Sequence, residues 1–427
     1  MKISFFKDLK HFKWTLWLSI CFLALIPAIY QTIRTSLISS FVNDFDIIGQ
    51  MEWYDLIDEV LKAFLIVPIY SILNKIIRND QTKASHYIFK MMIIVFFLYF
   101  LFNIGIFIYG KWIISFMNPN NTNISAITTY LELETIAFMI GIIPTFFNVV
   151  FVVSNKSKNI YIFLVIQLVC GIISDFILIP KFGVNAIAFS NIIVNILLTI
   201  IGFIILKIQN MISFSRFCKD DLCLFIEWIK IGFFSSIQQL IDNIVYALMI
   251  SRLVNQVSEQ GNYWLANNFI WGWLLIPVSA LAEVIKSEEK IDKRNYQNYY
   301  LLLIGIFIVW GILLPSWLPF LTNVEKISNS YDIFIIIIKL MPFYLAYALC
   351  IIPDSIFISK GSTYLNMINS LLINFLYYGI WFLIYILVNI SINLNMIILM
   401  FGFGMVFHMV ISYVELIIYK KYVKLLQ

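Results

Sequence analysis

Long apolar stretches, separated by short polar segments, recur along the whole chain. A stretch of about 18 apolar residues or more is long enough to cross a bilayer as an α-helix. The pattern predicts twelve such spans, at residues 14–43, 52–74, 88–117, 127–152, 159–179, 183–206, 226–251, 262–285, 297–320, 330–359, 363–388 and 394–419. The spans 88–117 and 330–359 are long enough to be kinked or broken, so eleven or thirteen spans are the alternatives.

The composition supports a membrane protein with little material outside the bilayer. Hydrophobic residues make up 61% of the chain and charged residues 12%, and the mean hydropathy is +0.90. Soluble domains carry about 25% charged residues. We therefore expect an all-α polytopic membrane protein without a sizeable soluble domain. The opening sequence MKISFFKDLKHFKW leads into a full-length span, so no cleavable signal segment is expected.

The basic residues of the loops predict the orientation. When successive loops are assigned to alternate faces, one face holds only Lys181, Arg252 and Lys326, and the other face holds the remaining loop lysines and arginines. Cytoplasmic loops are the ones enriched in Lys and Arg. Both termini are therefore predicted to be cytoplasmic, in a multi-pass protein of the inner (plasma) membrane. The net charge of +5 reflects this topology, and no nucleic-acid partner is expected.

The absence of several motifs excludes other classes. The sequence has no glycine-rich, lysine-ending phosphate loop and no acid–histidine or serine–histidine constellation. The cysteines are scattered without disulfide or metal spacing, and His11, His86 and His408 form no cluster. We therefore expect neither an ATP-driven pump nor an intramembrane enzyme, and no cofactor or metal site. No repeated filter-like loop indicates a channel, so a secondary transporter is the default class.

One acid lies deep in an apolar segment. Asp242 is in the middle of IGFFSSIQQLIDNIVYALMISRL, residues 231–253. A carboxylate at this depth costs about 2.5 kcal/mol or more. Asp242 therefore needs a cavity, a cation or a basic partner.

The two halves of the chain contain related segments. PAIYQTIR (27–34) aligns with SSIQQLID (235–242), and IIPTFF (142–147) is similar to IIPDSIF (351–357). Internal repeats with a site between them are typical of secondary transporters.

This repetition predicts the domain organisation. An N-lobe at 1–206 and a C-lobe at 226–427 are expected to be joined by a cytoplasmic linker at 207–225. Two six-helix lobes of this kind, related by a pseudo-twofold axis, would form a V around a central cavity.

Three segments resemble the MATE multidrug exporters, a branch of the superfamily that includes polysaccharide and lipid II flippases. WIKIGFFSSIQQLIDNIVYALMISRLV resembles the start of that family's second lobe, where an acid follows a glycine in the helix. DFILIPKFGVNAIAFS (175–190) is similar to the connection between the fifth and sixth helices, and IPDSIFISKGST (352–363) resembles the tenth helix. The resemblance implies a twelve-helix, two-lobed transporter that works by alternating access.

The resemblance also implies coupling residues. Asp242 matches the family's seventh-helix acid, which coordinates the coupling cation, and Asp354 matches the tenth-helix acid of the same site. Asp175 matches the fifth-helix acid that another branch of the family uses. The chain departs from that branch at Gly171, where an Asn is expected, and in the first helix, where Arg34 stands and the expected acid is missing.

Simpler roles are open for most of the acids. Asp175 is close enough to the outer end of its span to face water, and Asp354 can pair with Lys360. Spacings that suit pairing on a helix surface are found in span 2, at Asp55, Asp58, Glu59 and Lys62. A hydrated position at the start of a span is expected for Glu132 and Glu134.

Depth along the helices groups three charged residues. Arg34, Lys339 and Asp242 are each about 13 Å below the outer boundary of their spans, at the helical rise of about 1.5 Å per residue. The predicted cavity lining also includes Gln31, Gln238, Gln239, Asn243, Asn267 and Asn268. Because a buried acid needs a partner, Asp242 is predicted to be held by Lys339 until substrate or a coupling ion arrives.

Two transport functions follow from these charges. A cation-coupled exporter of amphipathic or cationic compounds, driven by H⁺ or Na⁺, needs Asp242 for exchange. A flippase for a lipid-linked anionic glycan needs Arg34 and Lys339 to meet phosphate. A non-transporting membrane scaffold would need no buried charges. The expected partners are a small-molecule or lipid-linked substrate and membrane lipids, and the expected state is a monomer.

Overall fold

The structure, a computed structural model, describes residues 12–42, 44–79, 81–120, 123–154, 156–216, 221–287, 293–360, 362–388 and 391–426. Within these ranges it consists of helices and their connections, with no β-strand. The α-helices are α1 (Trp14–Phe41), α2 (Asp46–Gly49), α3 (Glu52–Leu65), α4 (Val67–Asn79), α5 (Gln81–Met117), α6 (Ile124–Val153), α7 (Ser157–Phe182), α8 (Asn185–Ile208), α9 (Asp221–Tyr246), α10 (Arg252–Gln256), α11 (Gln260–Phe269), α12 (Ile276–Lys286), α13 (Lys293–Pro319), α14 (Ser330–Ser359), α15 (Thr363–Leu372), α16 (Gly379–Val388) and α17 (Leu394–Leu426). Short π-helical turns occupy Ala247–Ser251, Ile270–Leu274, Phe320–Val324 and Ile373–Tyr378.

The number of spans agrees with the sequence pattern. In the described part of the chain, 10 helices are long and apolar enough to cross a membrane unbroken. Two further spans are bent pairs, Phe225–Phe233 with Ser236–Gln256 at 42°, and Gln260–Leu274 with Ile276–Lys286 at 53°. With each pair counted as one span the total is 12, numbered here 1 to 12 in chain order. The predicted fold class, an all-α polytopic membrane protein, is confirmed.

The alternative span counts rested on a break in 88–117 or 330–359. Both of these spans pass as single helices, and the bends lie in spans 7 and 8. In span 8 the helix restarts at Ile276–Lys286 with Pro277 in its first turn. Because proline has no backbone N–H to donate, it is well tolerated at a helix start and poorly tolerated in a continuous helix.

The structure divides into two compact units. Unit A comprises Ser40–Ser258, which contains spans 2 to 7, and unit B comprises Met1–Ser39 with Glu259–Gln427, which contains span 1 and spans 8 to 12. These units differ from the predicted lobes, 1–206 and 226–427, in the placement of spans 1 and 7. The pseudo-twofold relation of the two halves stays a prediction.

Close approach of small residues holds the helices of unit A together. A Cβ added at Gly202 in span 6 would lie 2.2 Å from the ring of Phe147 in span 4, so only glycine fits there. Phe147 and its neighbour Phe151 are fully buried in a large apolar core. Small residues at such crossings allow the van der Waals contact that drives helix association within a membrane.

Span 7 packs along span 2 at a break in the span 2 helix. Pro68 cannot donate to the carbonyl of Phe64, four residues earlier, which leaves that oxygen without its helical bond. Gly232 of span 7 lies against this oxygen, since an added Cβ would be 2.4 Å from it. The indole N–H of Trp228 donates to the next carbonyl, that of Leu65, at 3.1 Å. The break in span 2 is thus covered by span 7.

In unit B, two indoles fix span 1 against span 8. Trp17 donates to the carbonyl of Pro277 at 3.0 Å, and Trp273 donates to the hydroxyl of Thr32 at 3.0 Å. Each bond satisfies a polar group that would otherwise lie unpaired inside the membrane. Both contacts lie at the bend of span 8, between Gln260–Leu274 and Ile276–Lys286.

Candidate functional site

The first acid of span 2 is bound by span 7. Glu52 accepts a hydrogen bond from the Ser251 hydroxyl at 2.8 Å and another from the Tyr246 hydroxyl at 3.3 Å. Both donors lie at the π-helical turn Ala247–Ser251. Since a π-helical turn inserts an extra residue into the helix, it re-aims side chains, and such turns are frequent at functional sites.

A second acid of span 2, two helical turns further on, is bound by amides of span 7. Glu59 accepts hydrogen bonds from Gln239 at 3.3 Å and Asn243 at 3.4 Å. Asn243 also donates to the carbonyl of Leu56 at 2.8 Å. Amide and hydroxyl donors are neutral, so these contacts can be exchanged for a cation without breaking an ion pair.

The acids on the other face of span 2 are tied into the interior of unit A. Asp58 is buried, accepts a hydrogen bond from the Tyr99 hydroxyl and pairs with Lys62. The Tyr54 hydroxyl donates to Asn103 at 2.6 Å. The predicted pairing of Asp58 with Lys62 on the helix surface is confirmed, but the aspartate itself is inside.

Glu134 was expected to be hydrated, and that expectation was wrong. Its side chain is buried in unit A and accepts a hydrogen bond from Asn191 of span 6 at 2.9 Å. Asp175, for which a water-facing position was an alternative, is fully buried in the same unit. The sequence gives only the distance of a residue from the end of its span. Whether its side chain is buried depends on the neighbouring helices.

An apolar cavity of about 440 Å³ lies beside the acids of span 2. It is bounded by spans 2, 3 and 7 of unit A. Its lining residues are Trp53, Leu56, Ile57, Val60, Leu61, Phe102, Ile113, Phe116, Met117, Leu240, Asn243, Ile244, Ala247 and Leu248. Asn243 belongs both to this lining and to the hydrogen-bonded site of Glu59. An apolar cavity with a few polar groups at its edge is the usual form of a small-molecule site.

Unit B contains a second acidic site, between spans 10 and 12. Asp354 accepts a hydrogen bond from the Ser412 hydroxyl at 2.7 Å and lies 3.1 Å from Nε2 of His408. Asn369 of span 11 donates to Ser412 at 2.6 Å. Cys350, one turn before Asp354, faces the same group of side chains. The inference that the histidines take part in no acid–histidine arrangement was therefore wrong.

A serine–histidine contact, which the sequence did not indicate, lies where span 3 of unit A begins. Ser213 lies 2.9 Å from Nδ1 of His86 and 2.9 Å from the Ser85 hydroxyl. Ser213 is in the connection after span 6, far in sequence from the helix that carries His86. Contacts across such distances are not visible in a single sequence.

Arg34 and a buried acid lie in unit B. Arg34 is buried and donates to the hydroxyl of Tyr30, one turn earlier. Glu325, which follows span 9, is 6% exposed. Burial raises the pKa of Glu325 to about 7, and its hydrogen bond with Thr32 opposes this rise. Thr32 thus joins Glu325 to Trp273.

The remaining residues predicted from the sequence have varied positions. Asn267 is buried and accepts a hydrogen bond from Tyr344 at 2.9 Å, and Asn268 is partly buried in the same helix. Lys339 is exposed and donates to Asn395 at 2.7 Å. The side chains of Gln31, Gln238 and Asp242 are partly buried. The roles of these residues, and the pairing of Asp242 with Lys339, stay predictions.

No protein-family model and no curated protein sequence matches the chain. Solved structures do. An inward-facing multidrug resistance MATE family transporter of the MOP superfamily matches with a TM-score of 0.73 at 14% identity, over 96% of this chain and 98% of that one.

Two further matches have the same extent. An outward-facing structure of a multidrug resistance MATE family transporter matches with a TM-score of 0.65 at 14% identity, over 96% of both chains. A MOP superfamily transporter from Pyrococcus furiosus, whose binding pocket of reverse polarity suggests a different function, matches at 0.64 and 13% identity over 96% of both chains. The chain therefore has the fold of the MATE transporters of the MOP superfamily over nearly its whole length.

Proposed function

We propose that the chain is a cation-coupled secondary transporter that exports amphipathic or cationic organic compounds by alternating access, with H⁺ or Na⁺ as the coupling ion. The fold supports transport, because related structures are known in inward-facing and outward-facing forms. A protein with two such states transports when substrate and coupling ion bind the two states with different affinity.

The observation that carries the proposal is the contact of the span 2 acids with span 7. Glu52 and Glu59 are bound by hydroxyl and amide groups of Tyr246, Ser251 and Asn243. Ionisable side chains inside a membrane are costly and mark substrate or ion pathways. Carboxylates held by neutral donors provide a place for a proton or a sodium ion, which the oxygen atoms can bind directly.

The cavity beside these acids supports the substrate class. Its wall is apolar over spans 2, 3 and 7, and Asn243 links it to Glu59. An amphipathic cation could bury its apolar part in this cavity and place its charge toward the carboxylates. Substrate and coupling ion would then compete for the same acids, which is a simple basis for exchange.

The acids matched through the family resemblance belong to the same proposal. Asp242 lies one turn from Gln239 on span 7, and Asp175 is buried in span 5 of unit A. Asp354 forms the separate acidic site of unit B with Ser412 and His408. We assign ion coupling to Asp242 together with the acids of span 2. We assign the same role to two further acids, Asp175 in unit A and Asp354 in unit B.

The test is transport by the purified protein in proteoliposomes under an imposed pH or Na⁺ gradient. Uptake of a fluorescent lipophilic cation should follow the gradient and need no nucleotide. Glu59→Gln and Asp242→Asn should each lower gradient-driven uptake at least about tenfold. A tenfold loss corresponds to a lost interaction of about 1.4 kcal/mol. Glu283→Gln, a change at an acid with a 55% exposed side chain, is the matched control and should transport normally. Uptake that requires ATP and ignores both gradients would contradict the proposal.

A flippase for a lipid-linked anionic glycan is the second candidate. The observation in its favour is the buried guanidinium of Arg34 in span 1, since arginine binds phosphate through paired hydrogen bonds. The MOP superfamily transporter from Pyrococcus furiosus, which has a similar fold, is described as having a binding pocket of reverse polarity, and this supports considering an anionic substrate. Translocation of a fluorescent polyprenyl-phosphate glycan that is lost in Arg34→Gln and kept in Glu59→Gln would favour the flippase.

A further inference from the structure

Three side chains of different chemistry converge in unit B. Cys350 and Asp354 are one helical turn apart on span 10, and His408 faces them from span 12. One ligand atom of each, the thiol sulfur, a carboxylate oxygen and an imidazole nitrogen, lie within 4.8 Å of one another. Among the described residues, these three form the group of ligand-bearing side chains that could hold one metal ion.

One of the donor–donor distances is close to that between two ligands of a metal ion, and the others are within 4.8 Å. Zinc binds thiolate sulfur at about 2.3 Å, and imidazole nitrogen and carboxylate oxygen at about 2.0–2.2 Å. Ligand atoms at these bond lengths in a tetrahedral arrangement are roughly 3.3–3.7 Å apart. Nε2 of His408 and the carboxylate oxygen of Asp354 are already 3.1 Å apart. Small side-chain rotations would bring the three donors onto one ion.

The surroundings of the three donors supply oriented partners. Ser412 donates to the second oxygen of Asp354 at 2.7 Å, and is itself fixed by Asn369 at 2.6 Å. Such outer contacts orient metal ligands and raise their affinity. The Asp354 and His408 side chains are 21% and 32% exposed, whereas Cys350 is buried.

A buried carboxylate beside the three donors is incompletely satisfied. Glu415, two turns after His408 on span 12, is 8% exposed and interacts electrostatically with Asp354 and His408. Its Oε2 atom has no hydrogen-bond partner among the described residues. A buried charged oxygen without a partner is costly. A cation between Asp354 and His408 would offset that cost.

We infer that Cys350, Asp354 and His408 form a binding site for a divalent transition-metal ion of the zinc class. Thiolate and imidazole donors select such ions over magnesium or calcium, which prefer oxygen ligands. Three protein ligands leave a fourth position for water. On binding, the Cys350 thiol releases its proton to solvent and the metal takes its place.

The experiment is a Co²⁺ titration of the full-length protein in detergent, followed by Zn²⁺ competition. It uses a background in which Cys218 and Cys223 are replaced by serine, because these two cysteines are close in sequence and could bind metal by themselves. Binding should produce a thiolate-to-Co²⁺ charge-transfer absorption, which Zn²⁺ then abolishes. Cys350→Ser should remove the band, and His408→Gln should weaken Co²⁺ binding at least about tenfold.

Cys170→Ser is the matched control, since Cys170 is also a free cysteine of a membrane span but lies in unit A. It should leave the band and the affinity unchanged. Gel filtration and thermal unfolding of each variant show whether it is folded. A band that persists in Cys350→Ser, or a folded background protein without any band, would overturn the inference. Because the assay measures binding alone, its result is independent of whether the protein transports organic cations.

Discussion

Glu325 is a single residue whose burial gives the protein a pH-dependent stability. It lies after span 9, is buried, and has its pKa raised to about 7 by burial. In the unfolded chain the pKa of a glutamate is about 4.3. Between these two values the folded protein holds a proton that the unfolded chain has lost. Stability contributed at this position is therefore present at low pH and falls as the pH rises toward about 7.

We predict that Glu325→Gln removes this fall. The wild-type protein should lose on the order of 3 kcal/mol of unfolding free energy at this site as the pH rises from about 4 to above 7, after which the loss is constant. Thermal midpoints in detergent from pH 5 to 8 check this expectation. Glu283→Gln, at an exposed acid, serves as the control and should follow the wild type. An unchanged pH slope in Glu325→Gln would contradict the raised pKa.

At the residue scale, the sequence located charges better than it located their partners. The apolar surroundings of Asp242 marked it as exceptional because hydropathy is a local property. The donors to Glu59 and Glu52 come from span 7, far away in sequence, and the grouping of His408 with Cys350 and Asp354 depends on how spans 10 and 12 pack. Such contacts are set by tertiary structure and have no local signal.

The helices show the same division between local and long-range information. Their limits were predictable to within a few residues, since each span needs a continuous apolar stretch. The bends in spans 7 and 8 were not predictable from the sequence. Pro342 and Pro353 of span 10 are more conspicuous candidates for a bend, but both lie within a single helix. A proline is accommodated when neighbouring helices satisfy the freed carbonyl, and that depends on packing.

At the element scale, we predict that Gly232→Ala weakens the contact between spans 7 and 2. The added Cβ would lie 2.4 Å from the carbonyl oxygen of Phe64, which is backbone and cannot rotate away. The expected loss is about 1–3 kcal/mol, as for other overpacked sites, measured as a lower thermal midpoint. Gly105→Ala is the matched control, because nothing lies within 4 Å of its added Cβ. Equal midpoints for the two variants would show that the spans separate freely at this point.

For the whole molecule, the distribution of basic residues predicts the topology. We expect a single cysteine placed at Thr122, between spans 3 and 4, to react with an impermeant maleimide from outside the cell. A cysteine at Lys156, between spans 4 and 5, should react only after the membrane is opened. Both are placed in a background without the five native cysteines. Labelling of position 122 from the cytoplasmic side alone would reverse the predicted orientation.

The division into units has a consequence for how the polypeptide can be cut. The chain passes from one unit to the other only at Ser39–Ser40 and at Ser258–Glu259. The charged stretch around 207–216 connects spans 6 and 7 inside unit A. A protease that nicked this stretch would leave each unit with all of its helices. The fragments 1–206 and 226–427, expressed separately, would instead each carry one helix that is assigned to the other unit. We therefore predict that a split version of this protein assembles only when both halves are made in the same membrane.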